Sequence, residues 1–273
     1  MNNQSRAKGS TRETWNFPKD SIIRINYMRI IDDILGNKVF DKTTAEEFLY
    51  IWFGRKIIVK EVLLQYDVGN ITGHSVRFDI LIYDVDGNIY DIELQTDPKK
   101  WPVERTDMYL SCLKPLTLAK GDGYQNRKDV YLFVILEKDT KEQTLCNGKF
   151  IQEFDSGSHI KEHAWYIDTS KADNSLFGEL MKDFVQRDKH KIKNSEFRKQ
   201  VLYYKDMKGG APDIMSMMDN IKNEGKLEGK LEEKIDTIKA ALADGLSVEQ
   251  IARICHTTVE FVEQVKNNNK QPN

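Results

Sequence analysis

The stretch from Ser75 to Thr96 constrains this chain more than any other, because two alternating runs, Ser75 to Tyr83 and Ile89 to Thr96, flank turn residues Asp84 to Asn88 and read as a hairpin. A strand repeats every two residues, so a slip of one residue sends its whole apolar set to the other face. A two-residue loop at Asp86 and Gly87 puts Val76, Phe78, Ile80 and Ile82 on the same face as Asp91, Glu93 and Gln95. That arrangement places carboxylates among hydrocarbon, at a large cost. A three-residue loop, with Gly87 left-handed, sets Asp84 opposite Asn88 instead. Val76, Phe78, Ile80 and Ile82 then join Tyr90, Ile92 and Leu94 on an apolar face, while Arg77, Asp79, Asp91, Glu93 and Gln95 share the other. Asp79 falls opposite Glu93.

An acidic sheet face is ordinarily a solvated surface. Two carboxylates directly opposed across strands nevertheless repel unless a cation lies between them. Asp79 and Glu93 are therefore candidate metal ligands, and hard oxygen donors suit Mg²⁺ or Mn²⁺. A cation there orients and acidifies a water and stabilises charge on a phosphodiester. Gln95 points to the same side and is placed to position that water.

Around the hairpin, the spacing predicts one amphipathic helix from Asp20 to Gly36 and a second from Thr44 to Gly54, the latter capped by Thr44 with Glu47. Ile57 to Tyr66 reads as a strand that completes a three-stranded antiparallel meander. Trp101 to Ala119 reads as a helix interrupted by Pro115, and the apolar run Asp129 to Leu136 as a strand buried on both faces. A further strand is expected near Ala164 to Ile167, with helices over Ser175 to Lys189 and Glu196 to Met207. The order helix, three strands, helix, strand makes this an α/β chain with a mixed sheet.

A length of 273 residues suits one sizeable core with an appendage. We expect a disordered leader over 1–19, a main domain over 20–208, a charged linker helix over 209–234 containing the tandem EGKL tetrapeptide from Glu224, and a small helical tail over 235–273. That tail resembles a helix-turn-helix fragment, with Ser247 to Gln250 and Thr257 to Glu260 as capping boxes. Its few basic groups favour self-association, and so a homo-oligomer, at least as much as DNA reading. The 41 basic and 43 acidic residues leave a net charge of -2, so any basic patch must be local. Three scattered cysteines, the lack of a signal-like leader and the absence of any run of about 18 apolar residues point to a soluble, cytoplasmic protein. His159 and His163 carry a helical spacing but no metalloprotease signature.

The hairpin residues Arg77 to Ile80, Asp86 with Gly87, and Ile92 to Gln95 resemble the core of the recombination-promoting nuclease/transposase family of the PD-(D/E)xK superfamily. The resemblance extends to Arg105 and Tyr109, to the Gly121 to Tyr124 turn and to the strand after it, roughly Thr44 to Lys138. It implies a restriction-endonuclease-like αβββαβ core with a helical C-terminal tail. It further implies a DNA endonuclease that works with Mg²⁺ or Mn²⁺, with Asp79 and Glu93 as metal ligands, Gln95 in the lysine position, and an extra acid on the first helix at Glu47, or else Glu46. Arg105, Tyr109 and Tyr124 become substrate-binding candidates. A glutamine lacks the lysine's positive charge, which leaves two other readings open: a degenerate nucleic-acid-binding accessory protein, or an oligomerising interaction module. Lys56, Lys99, Lys100 and Arg105 are the nearby cations.

Overall fold

The hairpin closes with the three-residue loop. Ile80 pairs with Ile92, Leu81 with Asp91 and Ile82 with Tyr90, and Gly87 takes a φ of 89°. Buried Asp84 holds this loop. Its carboxylate accepts the backbone N–H groups of Asp86 and Asn88 at 2.9 and 2.8 Å, and the Asn88 amide and Tyr90 hydroxyl, each at 2.8 Å. Four donors on one buried acid leave the loop no shorter alternative.

The computed structural model describes residues 21–69, 75–138, 151–155 and 161–268. The expected leader, His74, Cys146 and His159 lie outside them. Strands β1 (Val59–Val68), β2 (Val76–Asp84), β3 (Ile89–Gln95), β4 (Val130–Leu136), β5 (Ile151–Asp155) and β6 (Lys161–Asp168) form one mixed sheet in the order β1-β2-β3-β4-β6-β5. The first three make the antiparallel meander, whereas β3 and β4 are parallel, as are β4 and β6. A parallel pair needs a crossover. Between β3 and β4 it is α4 (Val103–Leu116), which covers one sheet face with Tyr109, Leu110 and Leu113 against Leu132, Val134 and Leu81. Pro115 sits in the last turn of α4, where it ends the helix rather than breaking it.

The other face carries α2 (Asp33–Val39), α3 (Lys42–Phe53), α5 (Leu176–Phe184) and α6 (Ser195–Tyr204), which close over an aromatic core. Phe48 meets Phe133 of β4 edge to face at 5.3 Å, and Phe40 meets Phe197 in the same way at 5.3 Å. The structure is thus a mixed α/β sandwich with the αβββαβ order at its centre.

Several elements differ from their sequence expectation. The first helix is two, α1 (Ser21–Tyr27) and α2, because the chain between them is bound sideways. Arg29 N–H donates to the Asp32 carboxylate at 2.7 Å, Ile31 N–H donates to the Phe184 carbonyl at 2.9 Å, and the buried Lys205 ammonium donates to the carbonyls of Asn26, Met28 and Arg187. Gly36 does not stop a helix but lies inside α2. A Cβ there would overlap Leu94 Cδ1 and come within 2.5 Å of the Ile30 carbonyl oxygen. Helix α3 begins earlier than expected. Asp41 is its cap and Thr44 the reciprocating third residue, which moves Glu46 and Glu47 out of the first turn. His163 lies on β6, not on a helix, and stacks on Tyr131 and Trp165, while β5 had no forecast.

The chain divides into two compact units, 1–215 and 216–273. Helix α7 (Ala211–Ala243) runs unbroken where a linker and a separate helix were expected. In the second unit, α8 (Val248–Ile254) and α9 (Val259–Asn268) enclose Ile251, Ala252, Val262 and Val265 with Ile238. The Ser247–Gln250 capping box is present, whereas α9 is capped by Thr258, one residue after the expected Thr257.

Gly36→Ala should cost about 1–3 kcal/mol, since the overlap involves backbone as well as Leu94. Lys205→Met, which strips the carbonyls of Asn26, Met28 and Arg187 of a donor, should cost about 2–4 kcal/mol. Urea unfolding of both variants checks these values, with the midpoint falling and the slope unchanged.

Candidate active site

The sheet changes face at the point where the acids lie. In β2, Val76 and Phe78 pack under α4 together with Leu81, so the strand's inward parity shifts between Phe78 and Leu81. In β1, Leu63 and Val68 show the same shift. The cause is Gln65, a non-glycine residue with a φ of 52° in mid-strand. The expected apolar face is therefore corrected: Ile80 and Ile82 oppose Ile92 and Tyr90, but Val76 and Phe78 turn to the α4 side.

Beyond Ile80 and Ile92 the β2–β3 ladder gives way to side chains. Asp79 N–H donates to Glu93 Oε1 at 2.9 Å, and Leu94 N–H donates to Asp79 Oδ2 at 3.0 Å. Each acid takes the N–H that the parting strands would otherwise orphan. Asp79 Oδ1 also faces Gln65 Nε2 at 3.4 Å, and the same amide donates to Asp33 Oδ1 at 3.1 Å. Gln65 thereby links β1, the fork in the sheet, and the first residue of α2.

The acidic face is not the open polar surface that its charge suggested. Asp91 and Glu93 are 0% exposed, on the side of the sheet that α4 covers. Both Asp91 oxygens and Glu93 Oε2 have no hydrogen-bond partner, an uncommon state for buried polar atoms. Burial raises both carboxyls well above the ordinary range, helped by the charge of Asp79 on Asp91 and by those of Asp91 and Asp79 on Glu93. Burial and the charge of Asp33 push Asp79 up to about 6, against the opposing Leu94 hydrogen bond and the field of Arg105. Asp33 is exposed at the mouth of the site, yet desolvation still raises it, countered by hydrogen bonds from Gln65 and Asn37.

Of the expected residues, Asp79 and Glu93 come together. Gln95 ends β3, half-buried, and its side-chain amide makes no hydrogen bond to any described residue. Glu47 does not join them. Its carboxylate accepts from Asn194 at 2.8 Å, and it lines a separate groove of about 370 Å³ with Glu46, Tyr50, Lys56 and Glu196. Glu46 is likewise engaged, accepting the Val59 N–H at 3.0 Å. The helix acid that reaches the fork is Asp33. Tyr109 is buried, with its hydroxyl donating to the Arg77 carbonyl at 3.0 Å and accepting from Arg105 at 2.7 Å, so it braces the site rather than facing substrate. Tyr124 stands 88% exposed on a short 3-10 turn.

The sequence reading missed Asp33, Gln65 and the burial of Asp91. Leu81 and Ile89 have the parity of Asp91, and that was the available signal that its face is covered.

All the candidate donors are carboxylate oxygens, and Glu93 Oε2 lacks any partner, which fits a hard divalent cation. Among the described residues, no three ligating side chains already converge on one point. Uncompensated acids carry a stability cost. Asp79 binds its proton more tightly folded, at about 6, than at the ordinary 3.8, so its contribution to stability falls as pH rises through that window. Asp79→Asn should accordingly stabilise the metal-free chain by about 1–3 kcal/mol above pH 7. The gain should vanish below about pH 4, and thermal unfolding across pH measures it.

No curated protein and no solved structure matches the chain. Residues 58–167 match the family model described as PD-(D/E)XK nuclease family transposase, a span that runs from the start of β1 to β6 and contains Asp79, Glu93 and Gln95. Over residues 58–167, which carry Asp79 and Glu93 on the mixed sheet, the chain is thus similar to a PD-(D/E)XK nuclease family transposase domain.

Proposed function

We propose that the chain is a divalent-metal-dependent endonuclease that hydrolyses DNA phosphodiester bonds in the cytoplasm, in recombination or on mobile DNA. The observation that carries this reading is the fork between β2 and β3. There Asp79 and Glu93 cross-brace the parting strands, and Glu93 keeps one buried oxygen without a partner. Asp79 and Glu93 would hold Mg²⁺ or Mn²⁺, with Asp33 in the role expected of Glu47. The bound cation supplies acidification of the attacking water and neutralisation of phosphate charge.

The chain's own groups do the rest. Gln65 holds Asp33 and Asp79 at fixed separation through one amide. Gln95, with its amide uncommitted, accepts from the attacking water and fixes its direction, but an amide cannot take the proton. Among the described residues, no helix is long and apolar enough to cross a membrane.

Nicking of supercoiled plasmid with Mg²⁺ or Mn²⁺ tests the reading. Asp79→Ala and Glu93→Ala should each lose about 100-fold or more, the rate equivalent of several kcal/mol of charge stabilisation. Asp33→Ala should lose about 10–100-fold, the range for a group that supports the ligands. Glu47→Ala should nick like the parent. Equal nicking by the parent, Asp79→Ala and Glu93→Ala rejects the site. A parent inert with both metals favours the second reading, a degenerate DNA-binding relative, for which the glutamine at position 95 is the supporting observation.

A further inference from the structure

Gln95 brings no charge to the position where the superfamily carries lysine, yet charge developing on a cleaved phosphodiester needs a cation close to it. The candidate cations separate by what surrounds them. Lys56 lines the groove beside Glu46 and Glu47, on the α3 side. Arg77 pairs with Asp67 at 2.8 Å. Lys99 and Lys100 are exposed on the 3-10 turn before α4. Arg105 is different.

Its guanidinium lies over the Trp101 ring at 4.2 Å and near the Tyr109 ring at 5.0 Å. It donates to the Lys100 carbonyl at 3.1 Å and to the Tyr109 hydroxyl at 2.7 Å. The supports are themselves fixed: the Tyr109 proton is committed to the Arg77 carbonyl, and the Trp101 indole N–H donates to Thr106 Oγ1 at 2.9 Å. Two guanidinium N–H groups are thus used, which leaves three of the five an arginine carries. Among the described residues, Arg105 forms no ion pair, although its charge lowers the carboxyls of Asp79, Asp91 and Glu93. A cation meant only to neutralise those acids would sit in direct contact with one of them. A half-buried guanidinium, rigidly held with donors to spare, is instead built to receive an oxyanion.

We propose that Arg105 is the catalytic residue that contacts the phosphodiester being cut and supplies the positive charge that Gln95 lacks. The proposal rests on the nuclease reading. Trp101 and Tyr109 are its positioning residues.

The test uses the full chain carrying Arg105→Ala or Arg105→Lys. Arg105→Ala should lower kcat by about 100-fold, with Mn²⁺ affinity, measured by calorimetry without DNA, within about two-fold of the parent because no metal ligand is touched. Guanidinium ion added to Arg105→Ala should recover about 10-fold or more of the lost rate, since it restores the missing cation. Arg105→Lys should be intermediate, keeping charge without the fork geometry. Duplex binding in Ca²⁺ gives a readout independent of turnover. Arg105→Ala should flatten the dependence of log affinity on log salt by about 0.9, the loss of one phosphate contact. An unchanged kcat, or a fall in rate that guanidinium does not recover, overturns the proposal. Should the parent prove inert, the nuclease reading fails by that result, and an unchanged salt slope would separately overturn the phosphate contact.

Discussion

The architecture of this domain depends on the exchange of hydrogen bonds where β2 leaves β3. A sheet that splits must leave backbone groups unpaired, and buried unpaired amides are costly. Here the Glu93 carboxylate takes the Asp79 N–H and the Asp79 carboxylate takes the Leu94 N–H, so the two acids hold the fork open. The fork in turn depends on Gln65. Its left-handed backbone lets β1 and β2 change face together while their register is unchanged from Leu64 opposite Ile80 to Tyr66 opposite Phe78. Strain of this kind, about 1–3 kcal/mol for a non-glycine residue, persists where the surroundings over-determine it.

The same exchange creates an electrostatic imbalance. Asp91 and Glu93 are buried two residues apart on one strand, with three of their four oxygens unpartnered, and the only relief among the charges named is the field of Arg105 from α4. A chain selected for stability alone would fill such positions with apolar or hydrogen-bonded groups. Burying them without partners is a stability cost that the fold carries at the fork.

Helix α2 brings Asp33 beside Asp79, and its placement is set by contacts distant in sequence. Gly36 lets the helix approach Leu94 of β3 more closely than any side chain would allow. Arg29 bridges Asp32 to Glu137 at the end of β4, so the residue after Asp32 is carried to the mouth of the fork. Asp33 then shares the Gln65 amide with Asp79. Glu47 lies a helix away, and Asn194 of the loop before α6 binds it there.

How much was legible follows from the range of each interaction. Alternation between Ser75 and Thr96, with Gly87 at the turn, determined by itself the hairpin loop, the cross-strand meeting of Asp79 with Glu93, and the strand–helix–strand order that follows, because pleat and turn chemistry are local. The helix split at Arg29 and the Asp41 cap were not readable, since Gly36 and Thr44 offered the local stop and cap signals instead, and strand β5 had no forecast. Only the tertiary structure decided that the acidic face is covered, that β1 and β2 change face at Gln65, and that Asp33 rather than Glu47 lies beside Asp79. Burial, backbone strain and the docking of a helix on a sheet depend on residues dozens of positions apart, and no periodicity in the chain records which of them meet.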